Sequence, residues 1–224
     1  YQFEKNASEL IIEPRLNRLT QAEGLYTAHS GTFSRFVTAI AALEQYPVSI
    51  SCSKKMATRP MVELFDCLRQ LGVTVQSPNQ CLPATISGPI KADICQVDAS
   101  RSSQYVSALL MVAPLLVNGL TIEIVGKQVS RAYIDMTIRL MNLMGVSVVE
   151  ENNRFSVASG QHYQGIDYRI PCDPVSSTYF MGVAAISGGA ITIQGFDFES
   201  VQGEAKFYQV LQKMGVKVEL SGND

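Results

Sequence analysis

The sequence predicts an α/β (α+β) fold built from a repeated unit, on three observations. Three short polar segments resemble one another: "SGTF" at Ser30, "SSQY" at Ser102 and "SSTY" at Ser176, spaced by 72 and 74 residues. Each precedes a small-residue apolar helical pattern and then an alternating or β-branched run: "YPVSISC", "GLTIEIVG" and "GGAITIQGF". Three amphipathic patterns run in step with them: "MVELFDCLRQLGVTV", "YIDMTIRLMNLMGVSV" and "KFYQVLQKMGVKV". Self-similarity at a fixed period is the signature of a repeated supersecondary unit.

The alternation predicts strands, and the i, i+3, i+4, i+7 apolar spacing predicts helices. Each amphipathic helix stops at a glycine (Gly72, Gly145, Gly215), the residue that ends a helix in the left-handed conformation. A β-branched strand is expected directly after each. Two units close with strand, polar turn and strand, in "VTVQSPNQCLPATISGP" and "VSVVEENNRFSVASG", and the opening "YQFEKNASELIIEP" has the same form. The unit is therefore about 73 residues, two helices interleaved with four short strands. The chain reads as the tail of one unit, two whole units and the start of another.

Composition narrows the function. The chain has 224 residues, 46% apolar and 17% charged, with a net charge of −2 and no basic block. That argues against nucleic acid as a partner. Its longest fully apolar run, Ala108 to Val117, contains Pro114 and is too short to span a membrane. Five cysteines form no CxxC pair, which predicts a reduced, cytoplasmic setting without a metal or disulfide framework. Met111, Met136, Met141, Met144 and Met214 read as core filler, and Lys54 and Lys55 as solvated.

The chemistry points to the helix mouths. A helix N-terminus presents unpaired N–H groups and about half a positive charge, so it attracts phosphate or carboxylate. Serine there is also an ordinary N-cap. Capping explains one serine per helix, whereas Gln104 beside Ser102 and Ser103 adds an amide that a cap does not require. In "TRPMVELF", Pro60 is expected at the first helical position. Arg59 then stands at a helix mouth, where a cation is unfavourable to the dipole and calls for an anion, either a neighbouring carboxylate or a bound one. In "VSRAYID", Ser130, Arg131 and Tyr133 occupy the turn before another helix; taken alone, Tyr133 reads as a half-buried core aromatic.

Taken together, "SSQYVSALLMVAPLL", "VSRAYIDMTIRLMNLMGV", "TRPMVELFDCLRQLGV", "DPVSSTYFMGVAAISGG" and "SVQGEAKFYQVLQKMGVKV" resemble the 5-enolpyruvylshikimate-3-phosphate synthases, the 3-phosphoshikimate 1-carboxyvinyltransferases, in order and over nearly the whole chain. The resemblance implies βαβαββ units packed as one lobe of an enolpyruvyl transferase, an inside-out α/β barrel. Residues 1–199 would form most of the N-terminal lobe, and 200–224 would cross the hinge near "ESVQGE" into the second.

The family moves the enolpyruvyl group of phosphoenolpyruvate to the 5-hydroxyl of shikimate 3-phosphate, and its chemistry uses no metal or other cofactor. By resemblance, Gly31, Arg59 and Gln104 bind phosphoenolpyruvate, with Thr32 and Arg35 as further candidates. Ser102, Ser103 and Ser130 hold shikimate 3-phosphate, with Tyr133 beside its ring. No general acid or base falls in this segment. The implied partners are these substrates and the second lobe, in a cytoplasmic monomer.

The sequence departs from the family at "HSGTFSRF", where Asn-Ala-Gly-Thr-Ala-Met-Arg-Pro is usual. The bulkier Phe33 is expected to crowd the phosphoenolpyruvate site. A sister family, which uses UDP-N-acetylglucosamine, carries a reactive cysteine five residues before the equivalent of Arg59. That position is Lys54 here, with Cys52 seven before. A non-catalytic homologue that binds a phosphorylated metabolite is the other alternative.

Overall fold

A computed structural model of the chain describes residues 2–5, 10–13 and 24–221. The chain divides into two compact units, Tyr1–Cys95 and Gln96–Asp224. In the first, strands β1 (Gln2–Lys5) and β2 (Leu10–Glu13) pair antiparallel, as the opening pattern predicts. The turn between them lies outside the described residues. There follow β3 (Leu25–Tyr26), helix α1 (Gly31–Ala41), β4 (Val48–Ser51), α2 (Val62–Gln70), β5 (Thr74–Gln76) and β6 (Ala84–Ser87). Their sheet has the order β3-β4-β6-β5. Strand β3 runs parallel to β4, and β6 antiparallel to both β4 and β5.

The second unit repeats this plan with β7 (Ile94–Asp98), α3 (Gln104–Val112), β8 (Leu120–Val125), α4 (Arg131–Leu143), β9 (Val149–Glu151) and β10 (Arg154–Val157). Its sheet order, β7-β8-β10-β9, is the same order one repeat later. The βαβαββ reading therefore holds for both units. Asn152 and Asn153 join β9 to β10 with φ of 50° and 61°. Positive φ at both central residues is what a two-residue hairpin turn needs.

One face of each sheet carries the core. Val48 and Ile50 of β4 alternate inward, as do Ala84 and Ile86 of β6, on the side where α1 packs, and Leu64, Phe65 and Leu68 of α2 are buried as well. In the second unit Leu120, Ile122, Phe155 and Val157 face Val106, Leu109 and Leu110. Gly72, Gly145 and Gly215 have φ of 83°, 83° and 93°, so all three helices end in the expected left-handed residue.

The third copy departs from expectation. Helix α5 (Pro174–Ser187) starts before "SSTY", and α6 (Phe207–Lys213) follows a 3₁₀ turn over Gly203–Lys206. "GGAITIQGF" is not a strand: it makes a single parallel bridge, Cys172 to Phe196. No strand follows Gly215 within the described residues either. An alternating pattern supplies a face, but a strand also needs a neighbour to receive its N–H and C=O groups. Met141 is buried, whereas Met136 and Met214 are exposed, because α4 and α6 leave one apolar side uncovered among the described residues. Lys54 and Lys55 are exposed as expected.

Candidate functional site

Two clusters of predicted residues form, one in each unit, both at the ends of neighbouring strands. In the first unit, Thr27 N donates to Ser51 O at 2.9 Å and Ser53 N to Ala28 O at 3.0 Å. These bonds hold the loops after β3 and β4 side by side. His29 Nδ1 adds a 2.7 Å bond with Ser53 Oγ. Helix α1 opens here. Its N-cap is Ser30, whose Oγ accepts from Phe33 N at 3.1 Å.

Gly31, the first residue of α1, is flanked by two guanidinium groups. A Cβ at Gly31 would lie 2.7 Å from Arg35 Nη1 and 2.9 Å from Arg59 Nη1. A side chain there would push both guanidinium ends aside. Arg59 does not attend α2, as the sequence suggests. Pro60 lies outside that helix, which begins at Val62 with Met61 as N-cap. Arg59 instead closes a 3₁₀ turn over Met56–Thr58 in extended conformation (φ −84°, ψ 129°), the region that a following proline favours. Its exposed side chain reaches the mouth of α1. The dipole argument survives the change of helix: two cations now face a positive helix end, an arrangement that an anion relieves. Thr32 is exposed in the same turn, and Phe33 is 47% exposed.

In the second unit, Val129 N donates to Ala99 O at 3.2 Å, joining the loops that lead into α3 and α4. The helices are joined again by Ser107 Oγ and Thr137 Oγ1, 2.8 Å apart. Ser102, Ser103, Gln104, Ser130 and Tyr133 thus gather at adjoining helix N-termini. Ser102 Oγ accepts from Gln104 N at 3.2 Å, and Ser103 is buried. Ser130 precedes α4 in the left-handed region (φ 52°) and makes no capping bond through its side chain. A non-glycine residue held there marks a locally imposed backbone.

Tyr133 meets groups that sequence reasoning missed. Its hydroxyl lies close enough to the side chains of Glu204 and Gln202 to feel both. Burial, then the negative charges of Glu204 and Asp173, hold the phenol above its ordinary value, so it stays a proton donor at neutral pH. The segment carrying Gln202 and Glu204 has no local motif and was visible only as "SVQGE".

Asp173 had a signal, an Asp-Pro pair, which reads as N-cap and first helical residue. Its carboxylate accepts from Val175 N at 3.2 Å and Ser176 N at 3.0 Å. The mouth of α5 therefore already holds an anion and is unlike the other two. Arg131 is also spent internally, with bonds of 2.6 Å to each Glu150 carboxylate oxygen and 2.7 Å to Asp135. Among the described residues no three His, Cys, Asp or Glu side chains gather to hold a metal ion. No helix among them is long and apolar enough to cross a membrane.

Repeated βαβαββ units with helix mouths at the strand ends define an enolpyruvyl-transferase fold. EPSP synthase from Acinetobacter baumannii superposes on 87% of this chain and 43% of its own, with a TM-score of 0.67 at 22% identity. A second structure of that enzyme gives a TM-score of 0.60 over 74% of this chain at 24% identity. The chain belongs to the EPSP synthase (3-phosphoshikimate 1-carboxyvinyltransferase) family, whose model matches residues 1–224.

The 3-phosphoshikimate 1-carboxyvinyltransferase of Yersinia pestis bv. Antiqua (strain Angola) is 37% identical over 202 residues, 88% of this chain and 47% of that protein. The pentafunctional AROM polypeptide of Lachancea thermotolerans is 35% identical over 96% of this chain and 15% of its own length. The chain thus spans about half the length of the first of these relatives.

Proposed function

We propose that this chain is the substrate-holding part of a 3-phosphoshikimate 1-carboxyvinyltransferase, an enzyme of aromatic amino acid biosynthesis. In that reaction the 5-hydroxyl of shikimate 3-phosphate gives up its proton and its oxygen bonds to C2 of phosphoenolpyruvate, while the C2–C3 double bond opens and C3 takes up a proton. The bond from C2 to the phosphate oxygen then breaks, C3 loses a proton to restore the double bond, and inorganic phosphate leaves. The observation that carries the reading is the mouth of α1, where Arg35 and Arg59 flank Gly31. Both substrates are polyanions, and a helix N-terminus beside guanidinium groups is suited to phosphate or carboxylate.

By resemblance, Gly31, Arg59 and Gln104 are assigned to phosphoenolpyruvate, with Thr32 as a further candidate. Ser102, Ser103 and Ser130 are assigned to the phosphate of shikimate 3-phosphate, and Tyr133 to its ring. The general acid and base belong to parts of the protein beyond this chain. Residues 1–199 belong to the N-terminal lobe and 200–224 begin the second. The remaining lobe packs against the apolar side of α5 and α6, and the whole works as a cytoplasmic monomer.

The test is titration of the full-length protein with phosphoenolpyruvate in the presence of shikimate 3-phosphate. Arg59→Ala removes a charge-assisted anion contact worth roughly 1.5–3 kcal/mol, so affinity should fall about 10- to 150-fold. Unchanged affinity overturns the assignment of Arg59.

A further inference from the structure

Arg35 is 6% exposed, an unusual place for a guanidinium. Burying a charge is costly unless its donors are satisfied. Two of its hydrogen bonds go to backbone carbonyls from two separate segments. Nη1 donates to Gly31 O at 2.9 Å, within the first turn of α1. Nη2 donates to Pro60 O at 3.4 Å, across 25 residues of sequence. Pro60 directly follows Arg59. Its ring restricts the preceding residue to extended backbone, so the direction in which Arg59 leaves the chain depends on where the Pro60 peptide is held.

Resting on the reading of Arg59 as the phosphoenolpyruvate anchor, we infer that Arg35 is a positioning residue. It brackets the Arg59–Pro60 peptide to the mouth of α1 and acts on the ligand through Arg59. This replaces its expected place among the substrate-binding residues. Two of its hydrogen bonds hold protein backbone, and its side chain is enclosed, whereas that of Arg59 is exposed. The planar fork is what spans the two carbonyls. A lysine ammonium is a point donor on a flexible stem and reaches one of them at a time. The enclosed cation beside Gly31 also makes the approach of a second guanidinium unfavourable until an anion lies between them.

A double-mutant cycle on the full-length protein tests this. Phosphoenolpyruvate affinity is measured with shikimate 3-phosphate present for wild type, Arg35→Met, Arg59→Met and the double variant. Shikimate 3-phosphate affinity alone serves as a check on the fold. The expected result is about a tenfold loss for Arg35→Met, with shikimate 3-phosphate affinity within about twofold of wild type. In the Arg59→Met background, Arg35→Met should change phosphoenolpyruvate affinity by less than about twofold. Arg35→Lys should recover part of the loss.

Full additivity in the double variant would mean that Arg35 meets the ligand independently, and the inference fails. It fails equally if Arg35→Met alone changes nothing, or if both affinities fall together. Should Arg35→Met not fold, Arg35→Lys takes its place in the cycle under the same criteria. If Arg59→Met by itself leaves affinity unchanged, the anchor reading fails and takes this inference with it, an outcome distinct from additivity.

Discussion

Gly31 is held between two guanidinium groups by want of a side chain, and that makes a clean substitution available. Alanine is a good helix former, so Gly31→Ala should leave stability within about 1 kcal/mol of wild type or slightly raise it. Its Cβ would lie 2.7 Å and 2.9 Å from the two Nη1 atoms, both at the far ends of flexible side chains. The fold can absorb this by swinging the guanidiniums, and the proposed anion site cannot. Gly31→Ala should therefore weaken phosphoenolpyruvate binding by about tenfold or more while the denaturation midpoint holds. A parallel loss of midpoint and affinity would refute that separation. At this scale the sequence showed which residue types matter and missed whom they serve. Arg59 read as a resident of the next helix because Pro60 looked like its first residue. Its reach back to α1 is a long-range contact that no local pattern encodes. Arg35 was visible by resemblance as a candidate ligand contact, and its bond to the Pro60 carbonyl, 25 residues away, was not.

Helix α5 shows how an element can mislead. Its "SSTY" matches the other two mouths, yet the helix begins earlier, under Asp173. The Ser176 hydroxyl, 2.6 Å away, and its N–H hold the Asp173 carboxyl below the ordinary carboxylate range. A lowered value means that the ionised cap stabilises the fold above the unfolded-state value, about pH 4, and that the gain is lost as pH falls through the folded value. Asp173→Ala should cost about 1 kcal/mol at neutral pH, Asp173→Asn less, and the gap between wild type and Asp173→Ala should close on acidification. Denaturant melts of the three proteins at pH 7 and in the acid range measure it; a gap independent of pH would refute the cap. The helices with strong apolar periodicity and a terminal glycine were legible from sequence, because both signals are local. The strand expected at "GGAITIQGF" was not, because pairing depends on a neighbour that the segment does not itself supply.

At the scale of the whole molecule, α5 and α6 carry an apolar stripe open to solvent. Tyr179, Val183 and Ile186 recur along one side of α5, with Ile186 89% exposed, and Met214 of α6 is 74% exposed. Soluble proteins seldom leave such surface uncovered. On the proposed reading, the second lobe covers it in the full-length protein. The 224-residue chain expressed alone should then bind the dye ANS strongly, and the full-length protein should bind little. Equal dye binding by both would count against that placement.

The repeat that the sequence announced at 72 to 74 residues returns as two sheets with the same strand order, each complete within one stretch of chain. Neither sheet borrows a strand from the other. A nick in the short join ahead of β7, near Asp93, would therefore cut the covalent thread without unpairing a strand in either sheet. Two separately made pieces could each assemble their own ladder. A protein of this kind can lengthen by copying a finished module, and its seams are where engineered splits or insertions should be placed.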